Sequence, residues 1–274
     1  MKFQLKALVA ALALVAAVPA SAGINNAATG NSSLVLTVWD SVANISASFD
    51  LGKNYSDFSI APTASFANSG VTTAGTAFSW DVTSGDYAAA WSNFTSIADE
   101  ANAFWAVTAA DNLGAPAGAQ GFVTTYTGAP LANLASTPLV TAVGNYNTFL
   151  NNLAFSNGIQ NHSTVLNGAN TAVPGSAAYY LPIYSENRVN NIGPVTAGKI
   201  DTSLGVIHTV TRTSTTVSNN IFSNEYGLST FTLTSNGQLA YAAAIAPIPE
   251  PETYAMLLAG LGFMGFVARR KQAK

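Results

Sequence analysis

Cysteine is absent from this 274-residue chain. That excludes disulfide staples, thiolate metal centres and cysteine nucleophiles, so stability has to come from a packed core. Charge is scarce too, with Asp, Glu, Lys and Arg making up 8% of the residues. Between residues 23 and 246 the cations are Lys53, Arg188, Lys199 and Arg212, set against eleven acids, a formal −7. So acidic and arginine-poor a body argues against nucleic acid and against anionic lipid surfaces as partners. The histidines are His162 and His208. Neither sits in an H-E-x-x-H pattern, and no G-x-S-x-G elbow occurs. Long apolar runs are missing from the body and occur only at the two ends.

What is present is Asn, Ser, Thr, Gly and Ala, with Val, Phe and Tyr spaced among them. Disordered chains are rich in charge and poor in aromatics, so this reversed composition reads as folded. Sequons occur at Asn44-Ile45-Ser46, Asn54-Tyr55-Ser56 and Asn93-Phe94-Thr95. In a chain this rich in Asn, Ser and Thr, chance accounts for them.

The first 22 residues form a secretory signal peptide by pattern. Lys2 and Lys6 make a positive start, Ala7 to Val18 is apolar, and Pro19 breaks the helix. Ala20 and Ala22 supply the small residues of a cleavage site, so the mature chain starts at Gly23. Signal peptidase is the implied partner.

The other end, residues 247–274, runs PIPEPETYAMLLAGLGFMGFVARRKQAK. Tyr254 to Ala268 is uncharged and, as a helix, covers about 22 Å at about 1.5 Å per residue. The hydrocarbon core of a bilayer is about 30 Å thick, which makes this a short transmembrane helix of marginal length. Arg269, Arg270 and Lys271 place its end on the cytoplasmic side. Pro249 and Pro251 keep the preceding segment extended.

Pro249-Glu250-Pro251, the short span and the basic Arg269-Arg270-Lys271 cluster together resemble the PEP-CTERM sorting signal. The resemblance implies export by a Gram-negative bacterium and processing by an exosortase, a membrane-embedded transpeptidase. It further implies a tethered intermediate at the inner membrane, then the cell surface or extracellular matrix, with exopolysaccharide or biofilm as the setting. Trp39-Asp40 and Asp50-Leu51-Gly52 resemble the opening strands of other PEP-CTERM proteins with β domains.

Residues 23–246 are read as one exported β-rich domain. Strand patterns cover Leu34 to Asp40, Asn44 to Leu51, Ala77 to Thr83, Ala103 to Ala109, Gly121 to Thr127, Gly205 to Ser218, Leu228 to Thr234 and Gln238 to Ile245. In the second, Ile45, Ala47 and Phe49 alternate with Ser46, Ser48 and Asp50, the period of a half-buried strand. Asn236-Gly237 marks a hairpin. Two helices are expected. One spans Asp86 to Ala98, with Ser84 as cap and Asp99 and Glu100 opposing its dipole. The other spans Thr137 to Asn152, with Pro138 in its first turn. Residues 156–200 read as loop. The fold class is mainly β, a β-sandwich or jelly-roll-like domain with one or two short helical insertions.

Catalytic signals are weak. Gly260, Gly262 and Gly265 fit G-x-G-x-x-G but lie inside the apolar tail. Gly193 to Lys199 fits G-x-x-x-x-G-K, yet Ile200 stands where Ser or Thr would meet magnesium. Asp40, Asp50, Asp57, Asp81 and Asp86 offer a carboxylate pair for glycoside hydrolysis or oxygen ligands for Ca²⁺, against solvated turn acids as the simpler reading. Tyr179, Tyr180 and Tyr184 in the AAYYLPIY segment suit stacking on sugars or packing over the core. Trp39, Trp80, Trp91 and Trp105 are assigned to the core. The expectation is a non-enzymatic structural or binding protein without cofactor or metal. A secreted carbohydrate-active enzyme or a sugar-binding module is the alternative.

Overall fold

In the computed structural model of the protein, placement is described for residues 24–58, 70–71, 75–113, 120–128, 136–155, 168–181, 183–185, 188–189, 195–211, 217–245, 256 and 258–264. The chain divides into two units, one ending at Ala244 and one comprising Ile245–Lys274.

Strand β1, Ser33–Asp40, is buried along its whole length. Leu34, Leu36 and Val38 enter one core, and Val35 and Trp39 enter another. A strand covered on both faces reads as a nearly continuous apolar run, which LVLTVW is. It pairs with β2, Ile45–Asn54, on one side and β5, Phe104–Asn112, on the other. Next to β5 come β6, Gln120–Tyr126, and β11, Ser203–Thr211. The first residues of β11 pair with β14, Thr230–Leu233, which leads to β15, Gln238–Ala242, and β4, Ala77–Asp81. Beyond β2 lies β7, Ala169–Ala172.

Shorter strands join this sheet. They are β3, Gly70–Val71; β10, Gly198–Lys199; β12, Val217–Asn224; and β13, Gly227–Leu228. β8, Tyr184–Ser185, and β9, Arg188–Val189, form a separate ribbon. Among the described residues all pairings are antiparallel except that of β3 with β12. The expected sandwich of two sheets takes a different form, a single hydrogen-bonded sheet of thirteen strands. It curls on itself. The Trp80 indole on β4 donates to the Leu51 carbonyl of β2 at 2.7 Å, although the two strands lie near opposite ends of the strand order.

Inside the curl, Phe58 of α1, Tyr55–Phe58, meets Phe78, Phe222, Phe231 and Tyr241 with ring centroids 5.1–6.2 Å apart. Helix α2, Ala88–Thr95, adds Trp91 and Phe94 to the same core. Burying one such ring contributes about 1.5–3 kcal/mol. On the outer face lies α3, Ser136–Phe155. Leu139, Val143, Tyr146 and Leu150 are buried on one of its stripes, as the helical period requires. At twenty residues α3 is a full layer rather than a short insertion.

The second layer explains a departure from the half-buried reading of β2. Ser46, Ser48 and Asp50 are buried as well as Ile45, Ala47 and Phe49. The residues from 205 to 218 also divide into two strands, because β11 ends at Thr211 and β12 returns beside it. No Gly or Pro stands between Thr211 and Val217 to signal the reversal. The Asn236-Gly237 turn forms as its residues dictate. Gly237 adopts φ +71°, and its N–H donates to the Thr234 carbonyl at 2.9 Å.

Ser84 caps no helix with its side chain, donating instead to the Asp81 carbonyl. Helix α2 ends at Thr95, and the N–H groups of Ser96 and Ala98 still donate to the Ser92 and Phe94 carbonyls ahead of Asp99.

In the second unit, residues 258–264 are helical, and Leu258, Leu261, Phe263 and Met264 are exposed. The rest of the expected span from Tyr254 to Ala268, apart from residue 256, lies outside the described residues. Among the described residues no helix is long and apolar enough to cross a membrane.

Candidate functional site

Ala20, Ala22 and Gly23 lie outside the described residues, as do Pro249, Glu250, Pro251, Arg269, Arg270, Lys271 and His162. The other chemistry-bearing groups lie in the body. One cluster brings together His208, Tyr55, Gly121 and Asp111.

His208 is on β11, in register with Val123 of β6 and Asn220 of β12. Its ring is 2% exposed. Tyr55 begins α1 directly after β2, and its backbone N–H donates to the Ser32 carbonyl at 2.8 Å. From there the phenol reaches His208 Nε2 at 2.5 Å. Gly121 makes the approach possible. A Cβ at that position would lie 1.8 Å from the Tyr55 hydroxyl and 3.0 Å from His208 Nε2. Burial pushes the imidazole down to about 4. Burial first, then the Asp111 charge, raises the Tyr55 phenol. Both groups are therefore neutral at pH 7. The pair joins the segment after β2 to a strand across the sheet and so acts as a clamp inside the curl.

Gly121→Ala is expected to displace Tyr55 and cost about 2–4 kcal/mol, combining overpacking with a lost buried hydrogen bond. Thermal melting checks this, and a midpoint within about a degree of wild type would contradict it. Sequence reasoning missed Tyr55 and Gly121. Tyr55 was visible only as the middle of a sequon, and a lone glycine in a strand marks a close approach without naming the visitor.

Asp40 and Asp50 do not form a pair. Asp40 ends β1, whereas Asp50 is opposite Val35, five residues back and on the other face of the sheet. At about 3.4 Å per residue that is about 17 Å along the strand, beyond the roughly 5–9.5 Å of glycosidase pairs. Asp40 accepts backbone N–H donors from Val42, Ala43 and Asp99 at 2.8, 3.1 and 2.9 Å. Asp50 accepts from Gly52 N–H and the Ser33 hydroxyl at 3.1 and 3.2 Å. Burial outweighs those bonds and raises its carboxyl to about 6. Asp57, Asp81 and Asp86 are exposed. Asp57 accepts from Asn54 N–H and Asp81 from Thr83. Among the described residues no group of three His, Asp or Glu could hold a metal ion. Gly198 and Lys199 of the G-x-x-x-x-G-K segment lie on strand β10, with the Trp105 indole donating to the Lys199 carbonyl at 2.9 Å.

Tyr179, Tyr180 and Tyr184 are buried, not presented to solvent. Trp39 stacks on Tyr184 and Tyr180 at centroid distances of 4.7 and 5.2 Å. The Tyr184 hydroxyl bonds Thr108 Oγ1 at 2.6 Å. Packing over the core, not a sugar platform, is therefore what these rings do. Trp80, Trp91 and Trp105 are buried as expected.

The body's last residue is held firmly. Asn224 Nδ2 donates to the Ala244 carbonyl at 2.8 Å, and Ala243 N–H donates to Thr76 at 2.8 Å. Just beyond, residues 247–271 match the family model of the PEP-CTERM protein-sorting motif. The chain carries a PEP-CTERM sorting signal. The PEP-CTERM motif marks it as an exported protein sorted to the surface by an exosortase. No curated protein matches the chain, and no solved structure does.

Proposed function

We propose that this is a surface or extracellular-matrix protein of a Gram-negative bacterium with a non-enzymatic structural or binding role in an exopolysaccharide or biofilm setting. The observation that carries the reading is the PEP-CTERM motif at residues 247–271, directly after a folded body. In this reading signal peptidase cuts after Ala22. Tyr254 to Ala268 holds the chain at the inner membrane as a short span, and Pro249-Glu250-Pro251 enters the exosortase groove. Support for a non-enzymatic body comes from the internal engagement of its chemistry. The buried carboxylates cap backbone turns, Tyr180 and Tyr184 pack on Trp39, and His208 is shut in with Tyr55.

Intact mass of the protein from producing cells, fractionated into membrane, periplasm and medium, tests the route. The expected mature form begins at Gly23 and ends near Pro249 to Glu252, outside the membrane fraction. A form ending at Lys274 and confined to the membrane would overturn it. Deleting residues 247–274 is expected to release the body from that route and change where it accumulates.

A further inference from the structure

The end of the β12–β13 hairpin presents two exposed apolar side chains, Tyr226 and Leu228, beside the point where the chain leaves the body. Tyr226 is 43% exposed and Leu228 51%. Glu225 and Tyr226 make the turn, and Leu228 follows on β13 opposite Ser223, so the two apolar side chains lie close together at one end of the hairpin. The tip is also built to hold its shape. Asn224 Oδ1 accepts from the Tyr226 N–H at 2.9 Å, while Nδ2 of the same side chain donates to the Ala244 carbonyl at 2.8 Å. Gly227 has φ +143°, a conformation that favours glycine, and a Cβ added there would sit 3.6 Å from the Ala244 Cβ. One asparagine thus fixes both the tip and the exit of the chain.

Chain length then limits what can face the tip. An extended chain spans at most about 3.6 Å per residue, so Pro249 lies within about 18 Å of Ala244 whatever course the tail takes. An enzyme that holds Pro249-Glu250-Pro251 in its groove must bring its own surface to the body within that reach. We propose that the Tyr226–Leu228 tip is a second contact for the exosortase, an exosite that orients the motif for processing. This rests on the sorting reading above. A tethered contact of this kind works by effective concentration, which a long flexible insertion removes.

The test compares processing rates of the full chain in producing cells by pulse labelling and mass analysis. The proteins are wild type, Tyr226→Ser/Leu228→Ser, and each of these with about twenty Gly/Ser residues inserted between Ala246 and Pro247. The tip variant is expected to be processed about tenfold more slowly, in the range of a lost interface anchor, with an unchanged melting midpoint. In the extended chains the tip substitutions are expected to make no further difference. Equal rates for wild type and the tip variant would overturn the exosite while leaving the sorting route intact. Equal slowing with and without the insertion would overturn it too. So would slowing accompanied by loss of the unprocessed chain from the membrane fraction, which would assign the tip to the lipid surface. A wild-type tail that is never removed would instead overturn the route, and the exosite with it.

Discussion

Trp39→Ala is expected to destabilise the body by about 3–5 kcal/mol, the range for deleting a buried aromatic ring. Trp39 is fully buried on a strand covered on both faces. Its indole stacks on Tyr184 at 4.7 Å, on Tyr180 at 5.2 Å and on Phe104 at 6.3 Å, with interplanar angles of 18–23°. Each such pair adds about 0.5–1.5 kcal/mol beyond area burial. The same layer holds α3, whose Tyr146 hydroxyl donates to the Thr108 carbonyl at 2.6 Å. Losing the indole leaves a cavity that rigid strands on both sides cannot close. For a body of about 224 residues the expected fall in melting midpoint is about 10 °C. Tyr180→Ala is expected to act in the same direction through the same stack, while Tyr226→Ala on the exposed tip stays within about 0.5 kcal/mol. Urea unfolding of the three variants checks this. A Tyr180→Ala protein of wild-type stability that had lost glycan affinity would reinstate the sugar-platform reading.

The second large effect is hidden in the wild-type protein by compensation. Asp50 has a folded-state value of about 6 against 3.8 when free. Its contribution to stability is complete below the unfolded value and is lost as pH rises through about 6. His208 runs the other way, from 6.5 when free to about 4 when folded. Its contribution is complete above the unfolded value and is lost as pH falls through about 4. Between about pH 4 and 6 the native state binds one proton more through Asp50 and one fewer through His208, so their slopes cancel. Each is worth about 1.4 kcal/mol per pH unit, or on the order of 3 kcal/mol across the window. Asp50→Asn is therefore expected to lose about 3 kcal/mol relative to wild type as pH falls from about 6 to 4, because only the histidine slope remains. His208→Gln is expected to gain about as much over the same interval. Denaturant titrations of the three proteins at half-unit pH steps measure this. The other carboxylates are common to all three and cancel in the differences, and three parallel stability curves would refute the pairing of effects.

Local patterns account for much of the body. Period-two alternation in Ile45 to Asp50, the apolar run of β1, the Asn236-Gly237 turn and the stripe Leu139, Val143, Tyr146, Leu150 are each dictated by residues close together in the chain. The one strand expected from Gly205 to Ser218 divides in two, a reversal that the Thr-rich segment between the strands does not announce with a Gly or Pro. The burial of Ser46, Ser48 and Asp50 was not legible either. A polar set on one face of a strand announces water unless another layer covers it, and that layer is contributed by residues far along the chain.

The sequence by itself determined the chain's C-terminal sorting signal, its mainly β character and the lack of any disulfide or thiolate chemistry. Those properties reside in short contiguous segments or in composition, and an export or sorting enzyme reads such a segment in extended form. Only the tertiary structure decided that Tyr55 meets His208 across 153 residues of chain. The same holds for the separation of Asp40 and Asp50 by a sheet, the stacking of Tyr180 and Tyr184 on Trp39, and the tie that Asn224 makes between the β12–β13 hairpin and the body's exit. These are distances between residues remote in sequence, set by strand register and by the curl of the sheet, and no local pattern encodes either.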